Sequence, residues 1–443
     1  MKPRVDRDAR LRSRRLATAS TARADAGRIA RFVREVGAVG RDRRGGWSRL
    51  ALSIEERQAH EIFARWAQEL GLDVHTDGIG NTFADSNGVS DQRAIVLGSH
   101  LDTVPRGGNF DGVAGIAAAL EVIRVLQAEA PLEHRLRVAV FAGEEGARFG
   151  VPCIGSRVCV GVLARAALED LVDDEGKTVV ECAEEVGLNP DAVERARWPG
   201  GSVAAYLELH IEQGSTLENR GRQIGIVDSI AGSTRLQISF RGRTDHSGAT
   251  PMRLRQDALV AAAELILDVE RQASAHPTSV ATVGKVHADP GSLTTVPGEA
   301  SVGVDIRDID SDAQRELAER LIDEAVRVAG RRGLQVTAQL LSDQSPVLLH
   351  KPIRERLSDA AMMLGVSFCV MPSGAGHDAA YIAGIAPAGM VFVPCRGGVS
   401  HAPEEWSDAD DIARGADVMM SAVRSLDGEG PWRTSVVPDE SLG

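Results

Sequence analysis

The sequence predicts an α/β protein whose doubly wound, mostly parallel sheet is interrupted by an inserted α+β domain. Three observations lead to this prediction. A short apolar run at residues 94–97 precedes a helical pattern and a second apolar run, as in parallel sheets. From about residue 234, strands of alternating polarity and longer helices replace that pattern. At 443 residues the chain is too long for one compact core, so two domains are expected.

The first domain is predicted as alternating helices and strands. Up to residue 142 these are two helices, a strand, a third helix and a second strand, at residues 24–36, 53–70, 94–98, 112–128 and 137–142. The second helix opens with the Ser-x-x-Glu pattern of a capping box at Ser53 and Glu56. Because strand, helix and strand in this order form a βαβ unit, ligands should collect at the carboxyl ends of its strands.

An inserted domain is predicted over residues 231–344 as β-α-β-β-α-β, the ferredoxin-like order. Leu236, Ile238 and Phe240 alternate with polar residues, as in a strand with one exposed face. A long helix follows Pro251. The remaining elements are two strands, a helix and a last strand, at residues 279–287, 300–307, 312–330 and 334–341.

After the insertion the chain returns to the first domain, with a glycine-rich loop, a strand at residues 388–393 and a last helix. The first domain, which carries the metal-binding motifs described below, is therefore expected to be discontinuous, over residues 23–230 and 345–430. The arginine-rich residues 1–22 are expected to form a disordered basic tail, and residues 431–443 a loose one.

The composition argues against several classes of protein. The formal net charge of −13 would repel a phosphate backbone, so no nucleic-acid partner is expected. No apolar window approaches the length of about 18 residues that a membrane-spanning helix needs, and the basic start lacks the apolar core of a secretory signal. A cytoplasmic protein without a membrane partner is expected. Five cysteines without a C-x-x-C pair argue against a disulfide framework or a thiolate zinc site.

The segment GSHLDTVPRGGNFDG, at residues 98–112, follows an apolar strand and carries three candidate site residues. His100 and Asp102 are two residues apart, so in an extended chain they point the same way and the carboxylate can fix the tautomer of the histidine. Asp111 leads into the next helix, and its two oxygens suffice to bridge two cations. A turn with incidental polar residues is the alternative.

The second strand is followed by the adjacent residues Glu144 and Glu145. Two neighbouring carboxylates at the end of a buried strand are costly to ionise unless cations neutralise them. One glutamate can ligate a metal ion while the other takes a proton from the metal-bound water. A solvated acidic turn is the alternative.

Two further histidines complete the set. His210 lies between Glu208 and Glu212 on one face of a predicted strand, which suits a metal ligand supported by carboxylates. His401 lies in a glycine-rich loop after the strand at residues 388–393. Three histidines, one aspartate and one glutamate suit two zinc-type ions that share a bridging carboxylate and a water. Manganese, cobalt and nickel accept the same ligands.

The motifs HLDT, GGNFDG, EEG, LHIEQG, DHSGATPM and SHAPEEW occur in this order and spacing. Together they resemble the amidase branch of the aminoacylase/carboxypeptidase metallohydrolases, namely the N-carbamoyl-L-amino-acid hydrolases and allantoate amidohydrolases. The resemblance covers the chain from about residue 28 to residue 426. It implies two divalent metal ions per subunit, zinc first among them, and a homodimer in which the inserted domain is a lid and dimerisation domain.

By position, the resemblance also implies a role for each motif residue. The metal ligands that it implies are His100, Asp111 as the bridging group, Glu145, His210 and His401. It assigns the general base to Glu144. Asp102, next to the first histidine ligand, is counted with the catalytic residues.

Substrate contacts follow from the same resemblance. Gln213 matches the glutamine of the HIEQG motif, and His246 matches a histidine that stabilises the tetrahedral oxyanion in the partner subunit's active site. Arg307 matches the arginine that grips the substrate carboxylate and lies on the polar face of a predicted strand, although a surface ion pair is the alternative. Gly376 matches a glycine whose backbone meets the substrate; an ordinary turn is the alternative. Thr295 replaces the family's asparagine, which leaves the substrate open.

The sequence therefore predicts a metal-dependent amidohydrolase that cleaves the C–N bond of an N-carbamoyl group on a small carboxylic acid. An N-carbamoyl-L-amino acid would give an amino acid, carbon dioxide and ammonia. Allantoate, ureidopropionate or another ureido acid stays open as the substrate, as does N-acyl-amino-acid deacylation or dipeptide cleavage. A non-catalytic metal-binding scaffold would be expected to lack a ligand or the base. A nucleotide-binding oxidoreductase would carry a glycine fingerprint where His100 and Asp111 stand.

Overall fold

A computed structural model of the protein describes residues 22–86, 93–129 and 132–427. Apart from Ala22, the basic tail predicted over residues 1–22 lies outside the described residues. The loose tail predicted over residues 431–443 lies wholly outside them.

The described residues contain 15 strands, numbered here in chain order. They are β1 (Asp73–Thr76), β2 (Thr82–Asp85), β3 (Ala94–His100), β4 (Arg135–Phe141), β5 (Val203–Ile211), β6 (Ile224–Ile230), β7 (Gly232–Arg241), β8 (Asp245–His246), β9 (Val280–Asp289), β10 (Thr295–Val296), β11 (Glu299–Asp308), β12 (Gln335–Gln344), β13 (Val347–Leu348), β14 (Phe368–Ser373) and β15 (Ala388–Val393).

The α-helices of the described residues are numbered in the same way. They are α1 (Ala26–Val36), α2 (Ile54–Glu69), α3 (Val113–Gln127), α4 (Ile154–Cys159), α5 (Arg165–Asp170), α6 (Val179–Glu185), α7 (Thr216–Arg220), α8 (Ala258–Ser274), α9 (Ser311–Arg332), α10 (Lys351–Met363), α11 (Asp378–Ile382) and α12 (Ala409–Asp427).

The chain divides into two compact units. The first comprises the described residues up to Ile226, His350–Val370 and those from His377 onward. The second comprises Val227–Leu349 and Met371–Gly376. The role of the inserted segment as a lid and dimerisation domain stays a prediction.

The first unit contains a largely parallel sheet with the strand order β1-β2-β4-β3-β5-β15. Parallel pairing joins β4, β3, β5 and β15, and Leu97 of β3 lies between Val138 and Leu207 on its two neighbours. Strands β3 and β15 are buried along their whole length, as expected for parallel strands covered on both faces. The main core joins these strands to α1, α3, α10 and α12. The predicted doubly wound α/β architecture is therefore confirmed.

The second unit contains an antiparallel sheet with the strand order β12-β7-β11-β9. Helices α8 and α9 connect its strands in the predicted sequence β-α-β-β-α-β, which is the ferredoxin-like arrangement. Residues Leu236, Ile238 and Phe240 of β7 are buried in a core shared with the two helices, while their neighbours along the strand are partly exposed. The alternation in the sequence thus marks one buried face, as predicted.

One local prediction needs correction, and the start of another element is now defined. Ser53 caps α2 by accepting a hydrogen bond from the Glu56 N–H at 3.1 Å, but the reciprocal half of a capping box is absent. The Glu56 carboxylate instead accepts from the backbone N–H groups of Leu52 (2.5 Å) and Gly143 (2.9 Å), because it is buried between the two segments. The long helix predicted to follow Pro251 is α8, which begins at Ala258, where Asp257 caps its first turn.

The strands that carry the predicted motifs lie side by side. The neighbouring parallel strands β4, β3, β5 and β15 all run in the same direction, so their carboxyl ends meet at one edge of the sheet. Within the described ranges, no helix is both long and apolar enough to span a lipid bilayer.

Helix α3 approaches the sheet closely at Gly115. A methyl group there would lie 2.3 Å from the Leu209 carbonyl oxygen of β5, which cannot move without disturbing the sheet. We therefore expect Gly115→Ala to lower the free energy of unfolding of the first unit by about 1–3 kcal/mol. Urea unfolding followed by circular dichroism measures this change.

Gly330→Ala is the matched control, because Gly330 lies within α9 and an added methyl group would have nothing within 4 Å. This substitution should leave stability unchanged or raise it by up to about 1 kcal/mol. Equal effects of the two substitutions would contradict the close packing of α3 on β5.

Candidate active site

The predicted metal-ligand residues all lie in the first unit, at the carboxyl ends of neighbouring parallel strands or in the loops that follow them. His100 is the last residue of β3, and His210 is the penultimate residue of β5. The other three lie in loops: Asp111 before α3, Glu145 after β4 and His401 after β15.

The Asp111 carboxylate lies at the centre of this cluster. Its Oδ1 is 3.0 Å from His210 Nε2 and 3.4 Å from His100 Nε2. Its Oδ2 is 3.4 Å from His401 Nε2, which in turn lies 3.2 Å from Glu145 Oε2. The two oxygens of Asp111 therefore face two different sets of ligand atoms, and the potential ligand atoms of each set lie within 4.8 Å of one another.

The backbone determines which ring nitrogen of each buried histidine faces Asp111. His100 Nδ1 lies 3.2 Å from the carbonyl oxygen of Asp102, and His210 Nδ1 lies 2.9 Å from that of Ile211. A carbonyl oxygen can only accept, so both Nδ1 atoms are donors and the Nε2 atoms of the neutral rings carry lone pairs.

Those lone pairs test whether the residues fit a metal ion. They point at a carboxylate oxygen that also only accepts, an arrangement that is repulsive unless a proton or a cation lies between the groups. His100 Nε2 and Glu145 Oε1 are buried and have no hydrogen-bond partner. Imidazole and carboxylate ligands of this kind suit zinc and similar divalent ions, so the residues present fit such ions.

Asp102 joins two of the ligand segments. Its Oδ1 accepts from the Glu144 N–H at 3.0 Å, and its Oδ2 accepts from the Glu145 N–H at 3.1 Å. The same carboxylate lies 3.3 Å from His100 Nδ1. Asp102 therefore positions the loop after β4 and also contacts the ring that it was predicted to orient.

The adjacent glutamates face different groups, as their predicted roles require. Glu144 is buried, with Oε2 3.9 Å from His100 Nε2 and Oε1 accepting from the Cys153 thiol at 3.3 Å. Burial raises the pKa of Glu144 well above its ordinary value, although the charge of His100 opposes the shift. Glu145 instead lies against His401. A buried carboxyl group with a raised pKa is suited to general acid–base catalysis.

The carboxylates of the cluster raise the pKa values of the histidines beside them. The hydrogen bonds of His401 to Asp111 and Glu145 raise the pKa of its ring to about 11, despite partial burial. Burial alone would lower the pKa of His100, but the nearby carboxylates of Asp102 and Asp111 raise it well above the ordinary value. A divalent ion must therefore displace protons in order to bind.

Gln213 lies among the ligand residues. Its Nε2 donates to Asp111 Oδ2 at 2.7 Å, and its backbone adopts a φ of 56°. Its Oε1 is buried and has no hydrogen-bond partner. Gln213 therefore presents an amide group next to the bridging carboxylate.

His246 and Thr295 form a pair in the second unit, directly opposite each other in the two-stranded ribbon of β8 and β10. His246 Nδ1 accepts from the backbone N–H groups of Gly248 (3.0 Å) and Ala249 (3.1 Å). In the neutral ring the proton is therefore on Nε2, so the exposed side chain of His246 presents a donor.

The second unit also brings Arg307 next to the loop that contains Gly376. The guanidinium group donates to Asp305 Oδ2 at 3.1 Å and, through Nη1, to the Gly374 carbonyl oxygen at 2.9 Å. An added Cβ at Gly376 would have nothing within 4 Å, so its backbone is open. The side chain of Arg307 is about one third exposed.

The structure corrects one expectation and adds one residue. Glu212 does not support His210, because its two oxygens cap α7 by accepting from Thr216 N–H (2.6 Å) and Leu217 N–H (2.8 Å). His377 is not among the predicted site residues, but its ring centroid lies 4.5 Å from that of His210. Its position directly after the Gly-Ala-Gly run was the available signal.

Residues 96–425 match the family described as Peptidase family M20/M25/M40. The N-carbamoyl-L-amino acid amidohydrolase of Geobacillus stearothermophilus is 38% identical over 401 residues, which cover 90% of this chain and 98% of that protein. The allantoate amidohydrolase of Escherichia coli is 32% identical over 392 residues, which cover 87% and 94%.

Solved structures agree with these relatives. The crystal structure of a hydantoinase/carbamoylase family amidase from Burkholderia vietnamiensis has a TM-score of 0.84 at 34% identity, and the match covers 93% of this chain and 99% of that one. The resemblance inferred from the motifs is therefore confirmed.

We expect zinc to stabilise the first unit, because an ion between Asp111 and the histidines replaces the repulsion among them. The gain should be about 2.7 kcal/mol per site when free zinc is at about 100 times its dissociation constant. Urea unfolding followed by tryptophan fluorescence, in zinc and in excess chelator, measures the difference, since the described tryptophans all lie in the first unit.

Asp111→Asn is the control for this measurement. It keeps the size of the side chain but removes the bridging charge, and it should lose most of the gain. Identical unfolding curves of the unsubstituted protein in zinc and in chelator would contradict a metal site here.

Proposed function

The chain belongs to peptidase family M20/M25/M40, a family of hydrolases, and on that premise we propose that it is a metal-dependent amidohydrolase acting on ureido acids. The proposed reaction cleaves the C–N bond of an N-carbamoyl group on a small carboxylic acid. An N-carbamoyl-L-amino acid is the first candidate substrate, and the proposed products are the amino acid, carbon dioxide and ammonia.

One observation supports this function most strongly. The carboxylate of Asp111 lies between two sets of ligand atoms, and the buried carboxyl group of Glu144 lies beside one of them. Two divalent ions held there by His100, His210, His401 and Glu145 would activate a water molecule and polarise the carbonyl group of the substrate. A non-catalytic metal-binding scaffold would not need a buried carboxyl group at the position of Glu144.

We assign the proton transfers to Glu144. Its carboxylate accepts a proton from the attacking water and returns the proton to the leaving nitrogen. The Cys153 thiol and the backbone hydrogen bond from Glu144 to Asp102 hold this side chain in place between the two steps. Burial excludes bulk water from the carboxyl group.

Residues of the second unit are proposed to bind the substrate. Arg307 would grip the carboxylate through its planar guanidinium group, next to the open backbone of Gly376. His246 would donate a hydrogen bond from Nε2 to the oxyanion, acting in trans within a homodimer as the family resemblance implies. Gln213 would contact the ureido group. Thr295, opposite His246, has a hydroxyl group in place of an amide, and we expect this difference to influence which ureido acid is accepted.

An ammonia-release screen tests the proposed function. The zinc- or manganese-loaded protein is incubated with N-carbamoyl amino acids, allantoate and ureidopropionate, while N-acyl amino acids and dipeptides are followed by amine release. We expect turnover of at least one ureido acid and much slower turnover of acylated substrates. The Glu144→Gln variant should lose about 10²-fold to 10⁴-fold in kcat and retain its metal content.

Glu145→Gln is the matched comparison, because it alters a proposed ligand and should lower the metal content as well. Turnover of acylated substrates alone would replace the proposed reaction by deacylation or peptide cleavage. Full activity of the Glu144→Gln variant would remove the assigned base.

Arg307→Ala should raise KM for a ureido acid by about 10-fold to 100-fold, because a charge-assisted contact to the substrate carboxylate is lost. A smaller change in kcat is expected. Steady-state kinetics with a ureido acid and with its uncharged amide analogue measure both parameters.

Arg235→Ala is the control, since Arg235 lies on the neighbouring strand opposite Asp305 and contacts the same carboxylate at 3.7 Å. Its KM should stay near the value of the unsubstituted protein. Equal KM values for Arg307→Ala and the unsubstituted protein would exclude the proposed carboxylate contact.

A further inference from the structure

Glu405 is buried in the loop after β15, with 3% of its surface exposed. It is four residues from His401 in the sequence and nearly 300 residues from the loop that contains Asp111. Glu405 is not among the predicted site residues. Its neighbour Glu404 is exposed.

Each oxygen of Glu405 is hydrogen-bonded to a different ligand loop. Oε1 accepts from the backbone N–H groups of Phe110 (2.9 Å) and Asp111 (3.0 Å). Oε2 accepts from the Ser400 hydroxyl (2.8 Å) and from the His401 N–H (3.3 Å). One carboxylate thus receives four hydrogen bonds, two from each loop.

The packing around Glu405 depends on its close approach to both loops. A Cβ atom at Gly108 would lie 2.0 Å from Glu405 Oε1, so that position has room only for glycine. The rings of Phe110 and Trp406 pack edge to face with centroids 4.9 Å apart. The loops therefore contact each other through both polar and aromatic groups.

The other proposed ligands have independent support. His100 and His210 belong to strands β3 and β5, whose ladder hydrogen bonds hold their backbones. The Glu145 backbone is held by Asp102. Of the five, Asp111 and His401 are the two whose backbone N–H groups are bound by Glu405.

We propose that Glu405 is a positioning residue that holds Asp111 and His401 at the spacing needed for one of the two metal ions. This inference rests on the metal centre of the proposed function. The affected ion would be the one held by Asp111, His401 and Glu145. The ion held by Asp111, His100 and His210 would keep two ligands on strands and would depend less on Glu405.

The chemistry of the four donors explains why a carboxylate is needed here. An ionised carboxylate only accepts hydrogen bonds, whereas an amide has one accepting oxygen and one donating nitrogen. Glutamine at this position could therefore satisfy one loop but would place its NH₂ group against donors of the other. Glu405→Gln keeps the size of the side chain and disturbs only this bridging.

Zinc binding to the purified full chain tests the proposal without using activity. The metal-free protein, Glu405→Gln and Glu404→Gln are titrated with zinc against a chromophoric chelator, and the bound zinc per chain is counted by elemental analysis. We expect two ions in the unsubstituted protein and in Glu404→Gln. In Glu405→Gln one ion should bind as before, and the other about 10-fold to 100-fold more weakly.

Circular dichroism of the metal-free variants checks that they are folded. If Glu405→Gln does not fold, Glu405→Asp decides the question, since its carboxylate is one methylene shorter, cannot keep all four hydrogen bonds to the two loops and should weaken the same ion selectively. Unchanged binding of both ions, or equal weakening of both, in the variant that folds would overturn the proposal while leaving the proposed function intact. Failure of the unsubstituted protein to bind zinc would overturn both.

Discussion

Mutual repulsion between the hydrogen-bond acceptors around Asp111 is the physical constraint on the candidate site, and the surrounding structure of the first unit holds these groups close together despite it. Two imidazole nitrogens, fixed as acceptors by backbone carbonyls, face one oxygen of this carboxylate, and His401 faces the other. Such a cluster is stable only with protons or cations between its members, in keeping with the pKa of His401, which its hydrogen bonds to Asp111 and Glu145 raise to about 11. The same lone pairs and carboxylate oxygens that repel one another are suitable ligands for divalent ions.

Two kinds of structure hold the proposed ligands in place: strands of the sheet and buried carboxylates. Parallel strands bring His100 and His210 to one edge of the sheet, where the ladder holds their backbones. The remaining groups lie in loops and need further support, which buried carboxylates provide. Asp102 binds the two N–H groups after β4, and Glu405 binds the loops of Asp111 and His401. Buried acidic side chains that accept several backbone hydrogen bonds thus position the groups that would carry the chemistry.

The second unit presents a different set of groups. His246 carries an exposed Nε2 donor because two backbone N–H groups occupy its other nitrogen, and Arg307 is steadied by Asp305 and by the backbone of Gly374. These hydrogen bonds hold both side chains, which remain accessible to a ligand. Thr295 lies opposite His246, so the position that departs from the family pattern is next to a proposed substrate contact. This is where differences in substrate preference among relatives are expected to arise.

The sequence by itself determined the architecture and predicted the site residues, since hydrophobic periodicity is local and motifs such as HLDT and EEG follow strands along the chain. It placed the strand at residues 388–393 with its observed bounds and the ferredoxin-like order of the second unit. It missed the second partner of Glu56, the capping role of Glu212, the nearness of His377 to His210 and the bridging by Glu405. Only the tertiary structure decided these, because hydrogen bonds between residues hundreds of positions apart leave no periodic signal, and a buried carboxylate takes its partners from whichever loops the fold brings to it.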